Sequence, residues 1–248
     1  MKWSFLVLLV LSFSSSAIIM RHDVDESQYL ILAAEDKSTV TFYGNYQDKE
    51  IVEGTGTLIA KDWVVTAAHV ANYLLVSGKV RFKDSYFKIK KIVIHPEWKD
   101  RQFPYDIALI QLESFVPNSE IVSLYGNKDE LHKTLTFVGR GDFGNGDVGV
   151  IGANDYLRAA QNVVTATSEQ FIQFQFDKGP NSLALEGISG PGDSGGPALL
   201  KLNNKLYIVG VSSWQNTEPT GWQEAKYGVI ENYSRISFFK QWIEKTIE

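Results

Sequence analysis

Gly192-Asp193-Ser194-Gly195-Gly196-Pro197 is the stretch on which the reading of this chain turns. A serine set among glycines is either a bare turn or an exposed nucleophile. A hydroxyl attacks poorly at neutral pH, so it needs a base within hydrogen-bond reach and a third group to orient that base. Upstream, Thr66-Ala67-Ala68-His69 offers an imidazole, whose ordinary pKa of about 6.5 suits a base working near neutrality. Between the two, Asp106 precedes the apolar run Ile107-Ala108-Leu109-Ile110, where a lone carboxylate is costly unless paired. Taken singly, each has a structural reading: a core histidine, a turn aspartate, a turn serine. Together, in the order His69, Asp106, Ser194, they form a candidate catalytic set. Gly192 reaches backbone angles barred to other residues, so its N–H can point with that of Ser194 at one spot, as an oxyanion hole requires. His22, His95 and His132 lack such a context and read as structural.

Outward from these segments, Gln28 to Val211 reads as short β-branched and aromatic runs. Val40 to Tyr43, Gly56 to Ile59, Trp63 to Thr66, Lys88 to Ile94 and Ile107 to Leu112 come first. Thr134 to Val138, Phe171 to Phe176 and Leu206 to Val211 follow, with turn signals such as Ser77-Gly78 and Gly144-Asn145-Gly146 between runs. Many short strands at this spacing argue for a sandwich or barrel, not for βαβ units. Sustained helical periodicity is expected only at the end. With Ser234 as N-cap, Ile236, Phe239, Trp242, Ile243 and Ile247 line one helix face.

At 248 residues, with 44% hydrophobic and 21% charged residues, the chain suits a globular domain rather than a disordered one. Its formal charge of −5 and the lack of a basic stripe argue against nucleic acid as a partner. Residues 1–17 read as a secretory signal peptide: Lys2 opens it, Phe5 to Leu11 is apolar, and Ser15-Ser16-Ala17 makes the cleavage site. The apolar run is too short for a retained membrane anchor. Cysteine is absent, so the expected product is a secreted or periplasmic bacterial protein, a monomer held by its core alone.

The three segments and their order resemble the chymotrypsin/trypsin family of serine endopeptidases. The resemblance implies an all-β fold: two packed six-stranded antiparallel β-barrels with a C-terminal α-helix. Residues 18–248 would form the peptidase domain, with barrel 1 about 28–124, barrel 2 about 134–233, and the helix at 234–247. His69 and Asp106 would come from the first barrel and Ser194 from the second, across a seam near Leu124 to Lys133. It further implies polypeptide substrates and no cofactor. The loop that binds calcium in some relatives holds only Asp84 between Val80 and Tyr86, so no metal is expected. Ser213 would bond Asp106, and the Trp214 backbone would pair with an extended substrate. Ile188, six residues before the nucleophile, would floor the specificity pocket, with Gln215 and Gly228 in its walls. An uncharged floor favours an apolar or small residue before the scissile bond, not Arg or Lys. In the family a new N-terminus pairs with the aspartate before the nucleophile. Cleavage after Ala17 would expose Ile18 for Asp193, with Arg21 as the alternative partner. Two rivals stand beside this reading: a periplasmic quality-control protease of the HtrA type, and a binding protein that kept the fold without the activity.

Overall fold

The computed structural model describes residues 18–47 and 49–248; the leader expected at 1–17 lies outside them. In chain order the elements are β1 (Ile19–Met20), α1 (Glu26–Ala33), β2 (Thr39–Tyr46), β3 (Lys49–Leu58), β4 (Trp63–Thr66), α2 (Ala68–Ala71), β5 (Lys79–Phe82), β6 (Ser85–Ile94), β7 (Ala108–Leu112) and β8 (Ser123–Leu124). Then come β9 (Thr134–Gly139), β10 (Asp142–Asn145), β11 (Gly149–Ala153), β12 (Arg158–Thr167), β13 (Phe171–Gln175), β14 (Gly187–Ile188), β15 (Pro197–Leu202), β16 (Lys205–Asn216), β17 (Ile230–Arg235) and α3 (Ile236–Ile247).

Strands β2-β3-β4-β7-β6-β5 close into one barrel. A second forms from β15-β9-β12-β13-β17-β16, closed by the β15–β16 pairing, and β8 adds to it in parallel beside β16. Closure removes the exposed edges that strands so rich in β-branched residues would otherwise present. The alternation written into the runs sets the faces: in β5, Val80 and Phe82 turn inward, and in β13, Ile172 and Phe174 do. Within the second barrel the Phe137 ring stacks on Tyr233 at 5.0 Å and meets Phe174 edge-on at 4.8 Å. All three are fully buried or nearly so, each contributing about 1.5–3 kcal/mol by burial. While Phe137, Phe174 and Tyr233 belong to a separate cluster inside the second barrel, the core of the first barrel runs on to Val138, Leu199 and Val211 of the second.

Helix α3 buries Ile236, Phe239 and Ile243 against that same core, as its three-four spacing predicts. Its cap differs from expectation. Ser234 lies in β17, its hydroxyl donating to the Asp106 carbonyl at 2.7 Å, and Arg235 holds the N-cap position without a side-chain cap bond. The early helix α1 is also unanticipated. It carries no apolar stripe: Tyr29 and Ala33 are buried while Ile31 is 70% exposed. It is held instead by Asp25, which accepts the Ser27 N–H at 2.9 Å, and by Glu26, which meets the fully buried Arg158 guanidinium. Among the described residues no helix is long and apolar enough to cross a membrane.

Candidate active site

His69 sits on the single turn α2, immediately after β4. Asp106 precedes β7, the direct neighbour of β4 in the barrel. Its loop is tightly constrained: Tyr105 takes a φ of 61°, and the Ile107 N–H returns to the Tyr105 carbonyl at 2.7 Å, a γ-turn around Asp106. Such a backbone costs roughly 1–3 kcal/mol and persists only where its surroundings over-determine it. Here the Tyr105 N–H bonds Gln170 Oε1 at 2.9 Å and its ring stacks on His95 at 5.0 Å.

The turn aims the Asp106 carboxyl at His69. Oδ1 accepts the His69 backbone N–H at 2.8 Å, and Oδ2 lies 2.8 Å from Nδ1. The Ser213 hydroxyl donates to Oδ2 at 2.5 Å. An ionised carboxylate only accepts, so Nδ1 carries the hydrogen and Nε2 keeps its lone pair free for a proton. Asp106 is 3% exposed, whereas the His69 side chain is about one-third exposed: the carboxylate is sealed and the far ring edge is open.

Ser194 arrives from the other barrel. Its carbonyl accepts the Thr55 N–H at 2.8 Å, and the Gly195 N–H donates to Ser212 at 2.9 Å. At Gly195, with φ of +79°, a Cβ would fall 2.1 Å from Thr66 Oγ1, 2.5 Å from the Thr55 carbonyl and 3.0 Å from the Ala67 nitrogen. Only glycine brings this backbone so close to the segment leading into His69. Gly192 has φ of +88°, and its carbonyl accepts from Thr55 Oγ1 at 3.0 Å. Among the described residues no acceptor pairs with the N–H of Gly192 or of Ser194, which leaves both as donors.

Asp193 points away from these donors. Its carboxyl is buried, accepting from Gly141 at 3.0 Å and Gly190 at 2.9 Å. Among the described residues it makes no ion pair, and burial pushes its pKa well above the ordinary carboxylate value. Arg21, the alternative partner, is bound to Asp23 and the Leu183 carbonyl. Ile18 is fully buried.

A cavity of about 370 Å³ opens beside Ser194. Ser213, Trp214 and Gln215 line it. Ile188 and Gly228 do not. Ile188 turns into a separate apolar cluster with Ile19, Phe176, Ala225 and Val229, so Ser189 is the residue of that segment facing the cavity. Gly228 precedes β17, and the residue in register with Gln215 is Glu231. The Gln215 Nε2 reaches the Ser189 carbonyl at 2.8 Å and Glu231 Oε1 at 3.1 Å. The case for an uncharged floor thereby loses its footing. Glu231, which the sequence reading missed, lines the cavity while 1% exposed. Its one local signal is an acid set directly after the apolar pair Val229-Ile230. Among the described residues no group of three or more His, Cys, Asp or Glu side chains is placed to hold a metal ion.

Comparison with known proteins places this geometry. The family model described as Trypsin matches residues 36–243. The chain is 27% identical over 217 residues to chymotrypsin-like elastase family member 1 of Macaca fascicularis, with 77% of each chain covered. It is 30% identical over 216 residues to snake venom serine proteinase 14 of Crotalus adamanteus, covering 78% of this chain and 77% of that one. With bovine (Bos taurus) coagulation factor XI it is 25% identical over 77% of its own length and 33% of the other's.

Proposed function

The chain belongs to the trypsin family and is a serine endopeptidase, and on that premise we propose that His69, Asp106 and Ser194 carry the hydrolysis through an acyl-enzyme. Ser194 Oγ adds to the substrate carbonyl carbon while its proton passes to His69 Nε2. The carbonyl oxygen, now an anion, is held by the N–H groups of Gly192 and Ser194, where losing one donor typically costs about 10²–10³ in kcat. As the C–N bond breaks, the imidazolium returns its proton to the leaving amine, and Ser194 is left as an ester. Water then adds with His69 again as base, the ester bond breaks, and Ser194 regains its proton. Asp106 stays ionised and stabilises each imidazolium.

One observation carries this reading: a sealed carboxylate bonds both the backbone and Nδ1 of His69 while the Ser194-Gly195 backbone packs on the strand leading to it. A fluorophosphonate probe tests it. The purified protein should label at Ser194 alone, and His69→Ala should abolish labelling. Labelling elsewhere, or labelling that survives the histidine substitution, overturns the assignment.

Secretion and activation belong to the same proposal. Removal of residues 1–17 would free the amino group of Ile18 to pair with Asp193. Support comes from the register: β1 runs parallel to β10, Ile19 opposite Gly144. The chain ahead of Ile19 therefore heads toward the Gly141 end, where Asp193 sits. An ammonium there would neutralise a buried carboxylate that otherwise has only backbone donors. N-terminal sequencing of fully active protein decides it; a start well beyond Ile18 rules the pairing out.

A further inference from the structure

The cavity beside Ser194 has a charge composition that its apolar neighbours do not explain. Among the described residues its lining holds two carboxylates, Glu224 and Glu231, and neither lysine nor arginine. Glu224 is exposed, and Glu231 is buried. Glu231 Oε2 accepts the Ser189 N–H at 2.9 Å, while Oε1 accepts the Ser189 hydroxyl and the Gln215 amide at 3.1 Å. These are neutral donors, enough to hold the carboxyl in one orientation but not to balance its charge.

Resting on the reading of Ser194 as the nucleophile, we propose that Glu231 is the specificity-determining residue of this endopeptidase, and that the cavity takes the lysine or arginine side chain preceding the scissile bond. A basic side chain has the required form: an aliphatic stem to lie along the Trp214 wall and a cationic head to meet an oriented, buried acid. At about 370 Å³ the space is of ligand-site size. The groups facing Glu231 favour the same occupant. Ser189, Ser212, Gln215 and Tyr233 are neutral and Asp193 is acidic, so an entering cation meets no repulsion. Burial lifts the Glu231 pKa to about 7. A bound ammonium or guanidinium displaces that proton and leaves an ion pair in its place. An acidic substrate side chain would bring a further negative charge beside Glu224 and Glu231, and an apolar one would make no use of the oriented acid.

The test uses peptides identical except for Lys, Arg, Leu, Ala or Glu before the scissile bond, with the wild type and Glu231→Gln. We expect kcat/KM for Lys or Arg at least tenfold above Leu, with that ratio falling tenfold or more in the variant. A second measurement needs no variant. Benzamidine, a cation, should block fluorophosphonate labelling of the wild type at concentrations at least tenfold below those of its neutral isostere benzamide. Leu cleaved as well as Lys, a Lys-to-Leu ratio unmoved by Glu231→Gln, or benzamidine no better than benzamide each overturns the proposal. Labelling at Ser194 with the wrong preference sinks this inference alone; absence of any labelling sinks the catalytic reading beneath it.

Discussion

Glu130 and Arg235 form a buried pair whose two halves should not be equally dispensable. Arg235, at the end of β17, donates to Glu130 through Nε at 2.9 Å and Nη2 at 2.6 Å, with Nη1 on the Ser168 carbonyl at 2.7 Å. Glu130, in the connection between the barrels, also accepts the Ser237 hydroxyl at 2.7 Å. The pair thus ties the barrel linker to the start of α3, one residue from the Ser234 hydroxyl that supports Asp106. Breaking a buried pair costs about 3–5 kcal/mol, because it strands a charge, whereas replacing both partners with apolar residues is often neutral or stabilising. Glu130→Leu should fall at the top of that range, since a guanidinium cannot shed its charge. Arg235→Met should fall at the bottom, since the stranded carboxyl can take up a proton. At roughly 2–4 °C per kcal/mol for a domain of this size, the first should lower Tm by about 8–20 °C and the second by about 6–12 °C. The double variant should be more stable than either. Calorimetry in a Ser194→Ala background, which prevents self-digestion, reads all four. There is also a pH signature. Burial pulls the Glu130 pKa up, but Arg235 and Ser237 outweigh it and hold the group below the ordinary 4.5. Its contribution is therefore full above pH ~4.5, fades as pH falls through the depressed value, and is missing in Glu130→Leu. Additive losses in the double variant, or Arg235→Met costing more than Glu130→Leu, would refute this account of the pair.

Three further outcomes follow from the same geometry. Ser213→Ala removes a hydroxyl bonded to Asp106 at 2.5 Å. A charge-assisted bond of about 1.5–3 kcal/mol converts to roughly 10–100-fold in kcat, read by steady-state kinetics; a change under twofold would discount the bond. Gly195→Ala pairs an unfavourable φ with a collision against the Thr55 backbone and should cost about 2–5 kcal/mol. Gly179→Ala, at φ of +88° with nothing within 4 Å, should cost only the backbone share of about 1–2 kcal/mol; equal urea midpoint shifts would contradict this. The Glu231 carboxyl, raised from 4.5 to about 7 by burial, binds its proton more tightly in the native state. Stability should thus fall as pH rises from about 4.5 to 7, Glu231 carrying about 3 kcal/mol of the loss. In the same inactive background, Glu231→Gln should flatten that part of the Tm-against-pH curve; an unchanged slope would place the proton elsewhere.

Much of this protein was legible in its one-dimensional text. Strand runs, a closing helix and the three chemical segments are each encoded within a few consecutive residues, where alternation, three-four spacing and glycine content act locally. Helix α1 was illegible because a cap and the distant Arg158 hold it in place of a periodic stripe. Ser234 reads as a cap until the fold gives its hydroxyl to Asp106. The specificity wall was illegible for a deeper reason. Ile188 ends the short strand β14 and Ser189 follows it; which of the two side chains faces the cavity depends on which side of the chain packs inward, and one step of register reverses it. Likewise Glu231, not Gly228, stands opposite Gln215 only through the pairing of β16 with β17. Residue order alone determined which chemistry the chain carries, because reacting groups come in fixed local phrases. What that chemistry is offered was decided by tertiary packing, because a pocket is assembled from strand faces that meet only when both barrels close.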